Sequence, residues 1–397
     1  MGAIRPEVMR WARETAGLSL VDAAHAVGLN DARGESGAER LAKLEEGRGE
    51  PARPLLAKMA KAYRRPLLVF YLNQPPKAGD RGQDFRTLPG EERYNPDLDA
   101  LIRGIRARQG LVRSILEDEE TDPLQFVGSV TMDVRATELA ARIAGAFKFS
   151  LAAFRAEKDP NAAFAYLRSQ IEAAGVFVLL LGNLGSHHTN IPLEIFRGFA
   201  VADPLAPMIV INDQDARAAW SFTAIHEVAH LWLGNTGVSG SDGLVLARIE
   251  QYCNDVAGEM LLPANEVAGL QIPASLDSVA AAISEFAEER RVSRGMVAYK
   301  LFRLGKISKG IWATLSVRFR DEWIASKQKQ AEKNKSVEGG PNYYVVRRHR
   351  VGAALIGLMR RAIDDGNVTY TKAGRVLGVR PRNVEPLLSS GQIRGLR

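Results

Sequence analysis

The chain has 397 residues, 46% hydrophobic and 25% charged, a composition that excludes a disordered or collagen-like polymer and suffices for two or three domains. A single cysteine, Cys253, excludes an internal disulfide framework and fits a reducing compartment; no run approaches the roughly 18 apolar residues of a membrane span, and no apolar signal core opens the chain, so a soluble cytoplasmic protein without a membrane partner is expected. The formal charge of +7 is uneven: basic residues exceed acidic ones by 3 in residues 1–76 and by 14 in 300–397, and fall short by 10 in 77–299, so the basic end should meet phosphates and the acidic middle something else.

Residues 5–75 are predicted to form five short helices. "RPEVMRWARETAGLS" sets Val8, Trp11, Ala12 and Thr15 on one face, and "SLVDAAHAVGL" carries Ser19 as a cap, small Ala23 and Ala24 at a helix crossing, and Gly28 as a stop. After the polar "NDARGESG" come "AERLAKLEEG" and "PARPLLAKMAKAYRRPLLVFYL". Helix, turn and helix with a small residue at the crossing is a helix-turn-helix layout. The spacing of "GLS", Ala23-Ala24, "VGL", Leu41, Glu45-Glu46-Gly47, Pro51 and Ala60 resembles the Xre/Cro-type repressor domain. One departure stands out: the loop is long, and Gly37, Ala38 and Glu39 open the helix that should read bases. Glu39 would face phosphates unfavourably unless it accepts from a cytosine amino group. Arg33, Arg40, Lys43 and Arg48 are the candidate phosphate contacts. The competing reading of this module is an all-helical dimerisation domain.

"PPKAGDRGQDFRTLPGEERYNP" is predicted to be a surface linker, followed by helices near 97–119, 133–147 and 160–174. Strands are expected at 175–182, 195–203 and 207–213, the first and last being short apolar runs bounded by Gly, Pro or Asp. A helix starting near Asp213 or Asp215 should then carry "FTAIHEVAHLWLG" and close at Gly234.

A His-Glu-x-x-His match arises by accident on the order of once in a hundred chains of ordinary composition. Here Ala218, Ala219, Phe222, Ile225, Ala229, Trp232 and Leu233 repeat at helical spacing, which makes the segment a buried helix. His226 and His230 then lie one turn apart on one face, as tetrahedral zinc requires, while Glu227 can orient and deprotonate a water. A catalytic zinc needs a third protein ligand. "LARIEQYCNDVAGEMLLP" supplies Glu250 on a second helix, and Asn254, one turn on, can accept the free N–H of a zinc-bound histidine. Buried histidines beside carboxylates can also be merely structural. Cys253 is expected to pack as a small apolar residue. His187 and His188 are either oxyanion stabilisers or a polar loop, and His25 and His349 are bystanders.

"FRGFAVADPLAPMIVINDQDARAAWSFTAIHEVAHLWLG" followed by "IEQYCNDVAGEMLLP" resembles the ImmA/IrrE family of metallopeptidases, in the branch with an N-terminal Xre-type helix-turn-helix, over residues 5–310. The resemblance implies a gluzincin-like fold, zinc held by His226, His230 and Glu250, and Glu227 as general base. It also implies a regulatory role, because relatives cleave repressor proteins.

The C-terminal stretch follows a charged, glycine-bearing linker, "SKQKQAEKNKSVEGGPN". "VGAALIGLMRRAIDDG" is predicted to be a helix ending at Gly366. "TYTKAGRVLGV" and "RPRNVEPLLSSG" should form two helices around a Gly378 turn, with Arg347, Arg348, Arg350, Arg380 and Arg382 available to phosphates or simply forming a solvated basic face. The expected fold is therefore α+β and predominantly helical: a helix-turn-helix module over 1–76, a linker and helical region over 77–130, a gluzincin-like metallopeptidase domain with a small sheet over 131–325, and a basic helical unit over 340–397. The expected function is a zinc-dependent endopeptidase tethered to a DNA-binding domain, a transcriptional regulator whose partners are operator DNA and a repressor-type substrate, with a homodimer as a possible assembly. The alternative is a DNA-binding repressor or antitoxin-like regulator whose peptidase fold is a non-proteolytic sensor or scaffold.

Overall fold

The computed structural model describes residues 4–32, 34–76, 95–234, 243–335 and 342–389. Most of the predicted linker at 75–96 and the end of the second linker lie outside the described residues. The described chain is predominantly helical with one three-stranded sheet, and it divides into two compact units.

The first unit gathers Met1–Asp84, Glu91–Gly104 and Asn183–Thr189. It opens with α1 (Pro6–Glu14), α2 (Leu20–Val27), α3 (Gly37–Glu45) and α4 (Arg53–Ala62). Met9, Ala12, Ala23, Ala24, Val27, Leu41, Leu56, Met59, Tyr63 and Phe70 form its core. The local signals act as expected: Ser19 caps α2 through Asp22 N, and Gly28 ends it in the left-handed conformation. The fifth predicted helix is a 3₁₀ segment, Leu67–Tyr71, because Arg64 turns to φ +52° after α4 and Pro66 removes a donor. A buried two-pronged ion pair, Arg13 Nε to Glu45 Oε1 at 2.8 Å and Nη2 to Oε2 at 2.9 Å, ties α1 to α3.

Helix α5 (Pro96–Asp118) belongs to the first unit through Gly104 and to the second from Ile105. The second unit continues with α6 (Ala136–Ala146), α7 (Leu151–Ala156) and α8 (Pro160–Ala173), of which α7 has no counterpart in the sequence reading. Strands β1 (Phe177–Leu180), β2 (Gly198–Val201) and β3 (Met208–Ile211) then form a sheet in the order β1-β3-β2. β1 runs parallel to β3, with Phe177 opposite Met208, and β2 runs antiparallel to β3, with Gly198 opposite Ile211. All three are shorter than the predicted segments 175–182, 195–203 and 207–213.

After the sheet come α9 (Arg217–Trp232), α10 (Gly243–Leu261), α11 (Ala264–Ala268), α12 (Leu276–Glu289), α13 (Arg294–Arg303) and α14 (Lys309–Lys335). One core runs from Leu139 and Ile143 on α6 through the sheet and α9 to Leu301 and Leu315. Helix α14 extends ten residues into the predicted linker: "SKQKQAEKNK" lacks Gly and Pro and is made mostly of good helix formers.

The chain ends, as far as it is described, in α15 (Tyr343–Val351), α16 (Ala353–Asp364), α17 (Tyr370–Leu377), a 3₁₀ turn Pro381–Asn383 and α18 (Val384–Ser389). These helices pack on the sheet unit through buried charges. The Arg168 guanidinium donates to the carbonyls of His349 and Val178 and pairs with Glu172 at 2.9 Å. The Glu172 carboxylate in turn accepts from the backbone N–H groups of Ala353 and Ala354, where α16 begins. Arg350 pairs with Asp213 at 2.7 Å, and the His349 ring lies 6.1 Å from that of Trp220.

Candidate metal centre

Helix α9 is buried almost throughout, packed by α8, α10, β2 and β3. It begins at Arg217, slightly later than the sequence suggested, with Asp215 accepting from the N–H of Ala216. Its end is fixed from outside. Leu231 and Trp232 offer carbonyls to the N–H groups of Gly128 and Val130, and Trp232 stacks on Phe126 with ring centroids 5.4 Å apart. Gly234 turns to φ +70°, and a Cβ there would meet Gly128 Cα at 2.9 Å, so two glycines let the segments touch.

Helices α9 and α10 bring His226, His230 and Glu250 together, with one ligand-type atom from each within 4.8 Å of the others. The Nε2 atoms of His226 and His230 are 3.1 Å apart, and each lies 3.2 Å from a Glu250 oxygen. Metal-to-donor distances of about 2.0–2.2 Å at tetrahedral angles place donor atoms about 3.3 Å apart. The triangle therefore has the dimensions of three ligands on a single ion. Asn254 Oδ1 lies 3.0 Å from His226 Nδ1, where it can accept that N–H and leave the Nε2 lone pair facing the cluster. The two histidine side chains are largely buried, while Glu250 keeps 35% exposure, so the cluster opens toward solvent on the carboxylate side.

The electrostatics match a site built for a cation. Burial alone would raise Glu250, but hydrogen bonds and charge from His226 and His230 hold its carboxyl far below the usual range. Burial alone would lower His226, yet Glu250, Glu227 and Asn254 raise it. Glu227 stands outside the ligand triangle, buried, and burial pushes its carboxyl up against the opposing pull of His226 and His230. Its Oε1 lies close to β2: a Cβ at Gly198 would come within 2.9 Å of it and 2.5 Å of Thr223 Cγ2. Cys253 is fully buried, and burial pushes its thiol well up, in keeping with an inert apolar role.

Two contributors escaped the sequence reading. Gly198 is the close approach just described; an isolated glycine opening a strand was its only signal. Asn212 is completely buried, and its amide donates to the carbonyls of Ile191 and Phe196 at 3.0 and 3.1 Å, anchoring the loop that leads into β2. His188 is exposed, and the side chain of His187 lies outside the described residues.

The residues singled out for phosphate contact lie in the first unit, and Arg33 lies outside the described residues. Arg40 donates to the Asn30 carbonyl at 2.7 Å, Lys43 pairs with Glu35 at 2.5 Å, and Arg48 pairs with Glu46. Glu39 forms a capping box with Ser36: its carboxylate takes the Ser36 N–H at 2.8 Å while Ser36 Oγ takes the Glu39 N–H. The residue that looked out of place on a DNA-facing helix has a local structural role.

Neither a curated protein nor a solved structure gives a significant match to the chain. Residues 184–302 match the family model Peptidase_M78, described as an IrrE N-terminal-like domain, a segment that runs through β2, β3, α9 and α10 and contains the whole His226, His230 and Glu250 cluster. That match supports the ImmA/IrrE resemblance for this segment and a metallopeptidase-type function.

Proposed function

We propose that the chain is a zinc-dependent endopeptidase linked to a DNA-binding module, a transcriptional regulator that cleaves a repressor-type protein. The observation that carries the peptidase reading is the donor triangle of His226, His230 and Glu250, with the buried Glu227 beside it but outside it. Zinc held there supplies Lewis-acid polarisation of the scissile carbonyl and of the attacking water. Glu227 accepts the proton of that water and delivers it to the leaving nitrogen; a carboxyl raised by burial is suited to both halves of the transfer. Asn254 keeps the His226 ring in one tautomer. Among the described residues strand β2 is the last of the sheet order β1-β3-β2, and it passes Glu227 at Gly198.

The test is co-expression of the wild type or Glu227→Gln with the repressor-type proteins encoded beside it, read by mass spectrometry. A shortened partner seen only with the wild type supports the proposal. Equal cleavage by both proteins sinks the role of Glu227, and intact partners with both favour the non-proteolytic regulator.

The DNA-binding half of the proposal rests on the capped helix pair α2 and α3 and on Arg40, Lys43 and Arg48 at the surface. A second reading, in which this module docks protein, is favoured by the acceptors that already hold these three side chains. Operator binding whose affinity falls steeply with salt supports the first reading, and salt-independent or absent DNA binding supports the second.

A further inference from the structure

The C-terminal helices contain a concentration of positive charge that neither the metal centre nor the N-terminal module uses. Arg108 on α5 and Arg347 on α15 meet behind the turn that ends α17. A Cβ at Gly378 would collide with Nη2 of Arg347 and come within 3.0 Å of Nη2 of Arg108. Arg347 is partly satisfied, since its Nε and Nη2 donate to the Leu377 carbonyl at 3.0 and 2.6 Å. On Arg108, Nε and Nη1 are buried with no acceptor among the described residues. Burial and the neighbouring charge of Arg347 push the Arg108 guanidinium down to about 9, and no carboxylate enters the balance of either group. Two like charges packed together without an anion are costly, and the fold keeps them.

In front of Gly378 lies a cleft of about 650 Å³, lined among others by Tyr343, Thr371, Arg375, Arg380 and Arg382. The three arginines are exposed and have no ion pair among the described residues. Elsewhere in the same unit Arg113, Arg142, Arg294 and Arg318 have carboxylate partners, whereas Arg135 and Arg361 have no ion pair among the described residues. An arginine-lined cleft backed by an unneutralised pair has the charge to hold an anion. Guanidinium groups bind phosphate oxygens through paired N–H donors, which makes arginine a common choice for phosphate recognition.

We propose that this cleft is a phosphate-binding site, with Arg375, Arg380 and Arg382 contacting the ligand oxygens and Arg108 and Arg347 neutralising its charge from behind Gly378. The phosphate is either a backbone group of nucleic acid or a free phosphate ester. The site is independent of the metal centre, so the variants below should retain the wild-type metal content whether or not the peptidase reading holds.

The test uses the full chain, the triple variant Arg375→Ala, Arg380→Ala, Arg382→Ala, and the single variant Arg108→Met. Thermal melting is followed with increasing inorganic phosphate, and anisotropy of a short mixed-sequence DNA duplex is followed across a salt series. For the wild type, phosphate should raise the melting temperature. In both variants that rise should shrink or vanish. Without phosphate, Arg108→Met should melt no lower than wild type, because it removes an unpaired buried charge. If nucleic acid is the source, phosphate competes with the duplex, and the triple variant reduces the slope of log K against log salt by roughly 2 to 3, about 0.9 for each DNA phosphate that an arginine no longer neutralises. If a free ester is the source, phosphate binds and the duplex binds no worse to the triple variant. Phosphate and duplex responses both identical in wild type and variants would overturn the proposal, as would an Arg108→Met chain that melts lower while its phosphate response is unchanged.

Discussion

Gly198→Ala is the substitution that probes the site most directly without touching a ligand or the base. The new methyl would sit 2.5 Å from Thr223 Cγ2, 2.9 Å from Glu227 Oε1 and 3.2 Å from the Val210 carbonyl. The first two separations lie inside van der Waals distance, and the third is to a backbone atom of β3 that cannot move independently. Overpacking of this kind costs about 1–3 kcal/mol, and the lower entropy of the unfolded alanine chain returns about 0.4–1 kcal/mol, so a net destabilisation of roughly 1–2 kcal/mol is expected. The readout is urea unfolding of the metal-loaded protein. Because Glu227 is the most easily displaced neighbour, hydrolysis should fall by more than stability alone accounts for, by up to about 100-fold for a shift of about 1 Å, while metal content stays unchanged. Adding Thr223→Ser removes the methyl at 2.5 Å and should restore about 1 kcal/mol. A Gly198→Ala protein as stable and as active as wild type would refute the close approach of β2 to Glu227, and so would a double variant no more stable than the single.

Other perturbations test separate parts of the structure. Glu227→Gln should lower hydrolysis by about 10²- to 10⁴-fold and leave the bound metal in place, as measured by single-turnover cleavage and metal analysis. Asn254→Leu removes the acceptor facing His226 Nδ1 and should weaken metal binding by about 10- to 100-fold in a chelator competition, with protein folding retained. Burial and the charges of Arg168, Arg217 and Arg350 hold His349 below its ordinary value, with Asp213 opposing. The unfolded chain therefore takes up the proton first, and stability falls as pH drops below about 6.5, by at most about 1.4 kcal/mol per unit, a slope that His349→Gln should reduce in urea titrations at pH 5 to 7. Arg168→Met strands Glu172 and the carbonyls of Val178 and His349, and should cost about 3–5 kcal/mol in the same titrations.

The cluster of His226, His230 and Glu250 was legible because its determinants are local. Two histidines four apart on an apolar-striped helix must share a face, and Glu250 and Asn254 four apart on a second helix must share one too. The sheet was legible as short apolar runs, though not its order, since burial on both faces erases the alternation that would reveal register. The helix cap at Ser19 was legible as well, a hydroxyl accepting an N–H three residues on; the same device at Ser36, Ser293 and Thr369 was not read from the sequence. Glu39 was misleading at sequence level because a capping box and a base contact use the same side chain, and only the conformation of Ser36 separates them.

The amino-acid sequence by itself determined many of the helices, among them α1 to α6, α8 to α10, α16 and α17, and which residue types could hold a metal, because these depend on neighbours within about one helical turn; α7, α11 to α13 and α15 were not read from it. Tertiary structure decided the rest. It placed Glu250 against His226 and His230, brought Gly198 up to Glu227, and set Arg108 beside Arg347 although 239 positions separate them in the chain. Distances of this kind come from how helices and strands pack in three dimensions, and no periodicity along the sequence encodes them.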